Sequence, residues 1–140
     1  MRSFLGIFSL MIIGLTDPQA GWCHGDVAPQ PVDTSSLPPL GEELRKQNPY
    51  RGSEEAVKVG TSAYTQNCAR CHGLEAISGG LAPDLRDYDL LPDTDQFFME
   101  KTMKGVVRNG AVKMPPYQGI INQEAIWAIK TYLETRPESK

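Results

Sequence analysis

Apolar residues recur at helical spacing in three stretches of this chain, separated by stretches rich in turn-forming residues. The first stretch begins after Ser53. Ala56, Gly60 and Tyr64 are spaced by four and fall on one face of a helix. Ser53 is a good N-cap, and Glu54 and Glu55 lie where the positive end of the helix dipole favours acids. A glycine inside a helix costs about 1 kcal/mol relative to alanine. Gly60 therefore points to the close approach of another helix, an incidental glycine being the plainer alternative. The second stretch runs from Thr94, its cap, through Asp95 to Lys104 and stops or bends at Gly105. Phe98, Thr102 and Val106 share a face that can cover an apolar group, and Met99 and Met103 read as core. The third is capped by Asn122 and spans about Gln123 to Thr135. Ile126, Ile129 and Leu133 form its apolar face, Trp127 and Tyr132 flank it, and Pro137 closes it. Residues 73–92 read as loop, with Gly79-Gly80 permitting sharp turns, and so does the segment from Arg108 to Tyr117. The pattern predicts an all-α domain.

What precedes Ser53 reads differently. Arg2 followed by the short apolar run Phe4–Leu15 has the form of a signal peptide and is too short to span a bilayer comfortably. Cleavage after Cys23, with Gly21 at −3, is preferred to cleavage after Ala20, because it removes the third cysteine and leaves two. A lipidated Cys23 is the alternative, opposed by the bulk of Trp22. No later stretch is long enough to cross a membrane, so no stable membrane anchor is expected. Residues 24–52 carry Pro29, Pro31, Pro38, Pro39 and Pro49 and read as an extended arm, with room for a short helical turn from Gly41 to Lys46. Such an arm is a solvated linker, a strap on the domain surface, or a docking segment. The expected organisation is a signal peptide at 1–23, an arm at 24–52, a folded domain at 53–136 and a tail at 137–140. In 140 residues a formal net charge of −3 offers no basic face for nucleic acid.

The chemistry is concentrated in Cys68-Ala69-Arg70-Cys71-His72. Cys-x-x-Cys-His is the signature of covalent haem c attachment. Two thiols one turn apart reach the two vinyl groups on one porphyrin edge, and the adjacent imidazole of His72 reaches the iron as an axial ligand. A redox dithiol or half of a zinc site would show Cys-x-x-Cys alone. The following histidine and the lack of a second cysteine pair downstream argue against both. Beyond His72 the chain has no further histidine, so the second axial ligand falls to Met99, Met103 or Met114. Met114 is preferred, because it sits in an irregular loop stiffened by Pro115 and Pro116. Bis-histidine ligation could use only His24. Should cleavage follow Cys23, the amine and imidazole of His24 could instead chelate copper. Histidine–methionine ligation suits reversible one-electron transfer. It also closes the iron position that a peroxidase or gas-binding protein needs open. Charge is segregated along the chain. Asp84, Asp87 and Asp89 precede Lys101, Lys104, Arg108 and Lys113.

Residues 54–136 resemble the small class I cytochromes c, through Cys-Ala-Arg-Cys-His at 68–72, Ala-Pro-Asp-Leu at 82–85, Met-Pro-Pro-Tyr at 114–117 and the aromatic terminal helix. The resemblance implies that the first and last helices cross around one covalent haem. It also implies that the Pro83 carbonyl accepts a hydrogen bond from His72. Leu85, Phe98, Tyr117 and Trp127, with Pro83, are expected around the haem. A closer likeness extends over His24-Gly25-Asp26-Val27, Asn48-Pro49-Tyr50-Arg51, Asn67 to Ala76 and Ser78-Gly79-Gly80. These segments are similar to the PedF-type cytochrome c-550 group. That likeness implies a periplasmic electron carrier, not an enzyme. Its expected donor is an alcohol dehydrogenase that uses pyrroloquinoline quinone (PQQ), and its acceptor a terminal oxidase or another cytochrome. The alternative is a haem subunit of another periplasmic oxidoreductase complex.

Overall fold

The computed structural model describes residues 28–87 and 92–137. The expected signal peptide, His24 and Asp89 lie outside the described residues. Helix α1 spans Glu54–Asn67, and its N-cap Ser53 accepts the Ala56 N–H. Cys68 ends α1 and leads into α2, Ala69–His72. A 3-10 turn follows at Leu74–Ala76, and a second at Pro92–Thr94 leads into α3, Asp95–Lys104, which Gly105 terminates. Helix α4, Gln123–Leu133, is capped by Asn122, whose side chain accepts the Ala125 N–H. The three predicted helices are therefore present, with α4 ending two residues earlier than expected.

Helices α1 and α4 form the largest contact between described elements. Their meeting point is Gly60. A Cβ placed there would stand 2.0 Å from the Ala128 carbonyl oxygen and 3.0 Å from the Tyr132 Cβ. The Tyr64 and Tyr132 rings pack together beside the crossing. Ala56, Ala63, Tyr64, Ile126, Ile129 and Leu133 are buried around it.

Two features depart from the expected all-α outline. Val106–Arg108 (β1) and Ala111–Met114 (β2) pair as a short antiparallel ribbon, with Val107 opposite Val112 and Arg108 opposite Ala111. The loop expected from Arg108 is thus partly strand, and Val106, expected on a helix face with Phe98 and Thr102, lies in β1 because α3 stops at Gly105. Asn109 and Gly110 both adopt positive φ in its turn, the conformation of a two-residue hairpin. The fold remains mostly helical.

The second departure is in the arm. No helical turn forms at 41–46. The backbone groups it would have paired internally are taken by the start of α4. Gln123 Nε2 donates to the carbonyls of Gly41 (2.7 Å) and Glu43 (3.0 Å), and Gln123 Oε1 accepts the Arg45 N–H. The Leu40 N–H donates to Glu124 Oε1 at 2.8 Å. Residues 28–52 are thus a strap packed on the domain. It buries Leu37, Leu40, Asn48 and Tyr50. Burial, then the Glu124 carboxylate, pushes the Tyr50 phenol up to about 12, and it stays a donor to the Pro38 carbonyl.

The strap ends on a charged cluster. The Asn48 N–H donates to Asp95 Oδ2 at 2.6 Å, and its side chain reaches Thr131 on α4. Arg51 bridges Asp95 and Glu134, each at 2.8 Å. Lys130, fully buried in α4, approaches Asp95 at 3.2 Å, and Asp95 is fully buried as well. Buried charges persist only when paired and hydrogen-bonded, and this cluster supplies both conditions while joining strap, α3 and α4.

Candidate haem site

Cys68, Cys71 and His72 lie on a single turn. The Cys68 N–H closes α1 on the Tyr64 carbonyl at 2.8 Å, and the N–H groups of Cys71 and His72 both donate to the Cys68 carbonyl. This winding puts the two thiols, both free and half-buried, one helical turn apart. Tyr64 supports the motif from α1, its hydroxyl donating to the Gly73 carbonyl at 2.8 Å.

The His72 ring is oriented from the following loop. Its Nδ1 lies 2.9 Å from the Pro83 carbonyl oxygen. A carbonyl can only accept, so Nδ1 is the nitrogen that donates, and Nε2 is the nitrogen left to face a metal. Asp84 folds the loop that presents Pro83. It accepts the N–H groups of Ser78 (3.1 Å) and Arg86 (3.0 Å) and both arms of the Arg86 guanidinium at 2.9 and 2.7 Å. Arg86, with the two backbone donors, holds the Asp84 carboxyl well below the usual carboxylate range.

Met114 ends β2, half-buried and paired with Val106. The chain after it is tied down on both sides. Gly105, at φ 70°, passes so close that a Cβ would stand 2.5 Å from the Met114 carbonyl oxygen and 2.8 Å from Pro115. The N–H groups of Tyr117 and Gln118 donate to the Thr102 and Met103 carbonyls, each at 3.2 Å. The buried Tyr117 hydroxyl donates to the Asn67 carbonyl at 2.6 Å. Burial pushes the Tyr117 phenol up, so it remains an O–H donor.

Cys68, Leu85, Phe98, Met103 and Met114 are all partly buried against one continuous core. Met99 is buried within it. Trp127 is fully buried in the same core, and its carbonyl accepts the Thr131 hydroxyl one turn on. Its Nε1 is, among the described residues, the buried side-chain polar atom without a partner. The residues present fit a covalently held haem: two thiols on one turn, an imidazole oriented by the Pro83 carbonyl, and, on a clamped loop, a thioether that packs with Leu85 and Phe98 against the same core. Sequence reasoning missed the supporting contacts of Tyr64 and Asn67 and the Asp84–Arg86 pair. The adjacency of Asp84 to Pro83 was the only signal available for the last.

A family model described as cytochrome c oxidase, cbb3-type, subunit III matches residues 55–133. The chain belongs to the cytochrome c family, and it holds haem c covalently through Cys68 and Cys71. It is 52% identical to the cytochrome c550 of Pseudomonas aeruginosa over 90% of both chains. It is also 30% identical to the quinohemoprotein alcohol dehydrogenase ADH IIB of Pseudomonas putida, over 78% of this chain but only 14% of that much longer protein. Among solved structures, cytochrome cL of Methylophaga aminisulfidivorans superposes with a TM-score of 0.54 at 25% identity, covering 71% of each chain. The protein is an electron carrier rather than an enzyme. No helix among the described residues is long and apolar enough to cross a membrane.

Proposed function

We propose that this cytochrome accepts single electrons in the periplasm from a PQQ-dependent alcohol dehydrogenase and passes them to a terminal oxidase or another cytochrome, with His72 and Met114 as axial ligands. The observation that carries the ligand assignment is the hydrogen bond from His72 Nδ1 to the Pro83 carbonyl, which leaves Nε2 available. Support for Met114 is its position on a loop clamped by Gly105, Thr102 and Asn67. When bound, the haem supplies a reversible one-electron couple whose potential a histidine–methionine pair raises. The chain's part is to hold imidazole and thioether still. Ligands that move little between oxidation states keep the reorganisation accompanying electron transfer small. The donor reading draws on the likeness to ADH IIB, named as a quinohemoprotein alcohol dehydrogenase, a small part of which matches this chain. The periplasmic reading draws on the signal-peptide form of residues 1–23.

Stopped-flow mixing of the ferric protein with a purified PQQ-dependent dehydrogenase and its alcohol tests the partner. Rapid reduction that requires the alcohol supports the reading. Reduction no faster than that of an unrelated class I cytochrome c overturns it. For the ligand, Met114→Ala should abolish the weak far-red sulfur-to-iron absorption band of the ferric protein and lower the potential. Loss of the band in Met99→Ala or Met103→Ala instead would assign the ligand elsewhere.

A further inference from the structure

Asn67 occupies an unusual position. It is the last residue of α1, directly before the attachment cysteine Cys68, and it is buried. Its hydrogen bonds run to different parts of the molecule. Its side-chain Oδ1 accepts the Gln30 N–H of the strap at 2.6 Å, and its Nδ2 donates to the Ala63 carbonyl at 3.2 Å. Its own carbonyl accepts the Tyr117 hydroxyl at 2.6 Å. The last carbonyls of a helix have no partner within the helix, and here a side chain fifty positions further along supplies one. Tyr117 belongs to the Met-Pro-Pro-Tyr segment that begins with Met114. The residue is clamped at both ends, since its N–H is held by the Thr102 carbonyl on α3.

We propose that Tyr117 is a positioning residue for the methionine ligand, and that the strap, through Gln30 and Asn67, braces it. This rests on the reading of Met114 as ligand. The hydroxyl ties the segment carrying the thioether to the point where the chain is anchored to haem. The spacing between attachment edge and ligand loop is thereby held by one short, water-shielded hydrogen bond. Without the hydroxyl, the Asn67 carbonyl is left buried and unpaired, and the Met114 segment keeps its ribbon pairing, the contact at Gly105 and the bonds to the Thr102 and Met103 carbonyls, all on the α3 side. A buried acceptor stripped of its donor is costly. That cost is relieved when the loop swings out, which is the motion that exposes the iron to an added ligand.

The experiment is imidazole binding to the ferric, haem-loaded protein, followed by loss of the far-red band, with thermal unfolding and the reduction potential measured alongside. Tyr117→Phe keeps the ring and should bind imidazole roughly tenfold more tightly than wild type, with a lowered potential. Gln30→Pro removes the strap donor, fits between Pro29 and Pro31, and should shift imidazole affinity in the same direction by a smaller factor. It also serves if Tyr117→Phe does not fold. Met114→Ala separates the two readings. If Met114→Ala keeps the band, the ligand assignment fails and the brace fails with it. If Met114→Ala loses the band while Tyr117→Phe binds imidazole with wild-type affinity, the ligand stands and the brace is refuted. A lowered melting temperature with unchanged imidazole affinity refutes the brace as well, since it shows a purely structural hydroxyl.

Discussion

Gly60 and Ala128 touch backbone to backbone: a single added Cβ on Gly60 would lie 2.0 Å from the Ala128 carbonyl oxygen. That contact lets α1 and α4 cross at close range, and it aligns the C-terminal end of α1 that leads into Cys68. A backbone carbonyl cannot turn aside as a side chain can. Gly60→Ala therefore gains about 1 kcal/mol of helix propensity and loses more to the clash. Gly60→Leu should cost about 1–3 kcal/mol or more through overpacking. Denaturant unfolding of the haem-loaded variants measures both, and a Gly60→Leu midpoint equal to wild type would show that the helices do not meet there.

Asp84 makes a different kind of prediction, because its carboxylate is what shapes the loop presenting the Pro83 carbonyl to His72. Its folded pKa is depressed, chiefly by Arg86. A depressed carboxylate contributes stability that is present above its unfolded pKa, about 3.9, and lost as pH falls through the folded value. The difference in stability between wild type and Asp84→Asn should therefore be constant from neutrality down to about pH 5. It should shrink only under strongly acid conditions. Equilibrium unfolding of both proteins across that range provides the check. A difference already vanishing near pH 6 would mean that Asp84 is not the group holding the loop.

The three helices, the Ser53 and Asn122 caps and the Gly60 crossing were legible because each is written locally: a polar cap, a period of three to four, a glycine where none is favoured. Thr94, expected to cap α3, stands at its start without a side-chain cap hydrogen bond. The attachment motif was legible because its spacing is dictated by the porphyrin edge. The ribbon was not. Asn109-Gly110 is a strong turn signal, but the flanking Val106-Val107-Arg108 and Ala111-Val112-Lys113 lack the alternation of a half-buried sheet, and Val107 and Val112 are in fact exposed. The arm's composition admits linker, strap and docking segment alike. The strap is selected by side chains nearly eighty positions away or more, such as Gln123 on the Arg45 N–H and Glu124 on the Leu40 N–H, and no local pattern records them. The same holds for the phenol of Tyr117, whose aromatic ring is visible in the sequence while its acceptor on Asn67 is not.

Asp95 and Lys130 form a fully buried pair at 3.2 Å, with Arg51 and the Asn48 N–H completing the Asp95 carboxylate. Removing one member of such a pair is far worse than removing both. Asp95→Ala should destabilise by roughly 3–5 kcal/mol, because the Lys130 ammonium loses its buried carboxylate and the strap loses its Asn48 and Arg51 acceptor. The double variant Asp95→Ala with Lys130→Met should recover part of that loss. Thermal or denaturant unfolding of the single and double variants gives the coupling directly. Strictly additive effects would show that the two charges do not depend on each other.

The surface charges bear on how a partner is met. Lys101, Lys104, Arg108 and Lys113 are all exposed, on α3 and on the ribbon that follows it. Lys104 shares its charge with Glu100 across 3.4 Å in a pair open to solvent, which leaves most of its field available. On the acidic side the structure changes the balance read from the sequence. Asp84 is paired with Arg86 in a two-pronged contact, so it adds less to the acidic segment than the composition suggests. Exposed charges act over about 8 Å at physiological salt and further in dilute buffer. They raise association rates with an oppositely charged partner, an effect that falls as salt rises. Charge reversal at Lys101, Lys104 and Lys113 should therefore slow bimolecular electron transfer with an acidic-faced dehydrogenase in dilute buffer and change it little at high salt. The absorption spectrum should be unaltered, because these side chains are exposed and take no part in the contacts that clamp the ligand loop. Equal rates for the reversed and wild-type proteins in dilute buffer, with donor and acceptor alike, would exclude the basic segment as a docking surface. The exposed apolar residues that follow the attachment motif, Leu74, Ile77 and Leu81, would then be the next to substitute.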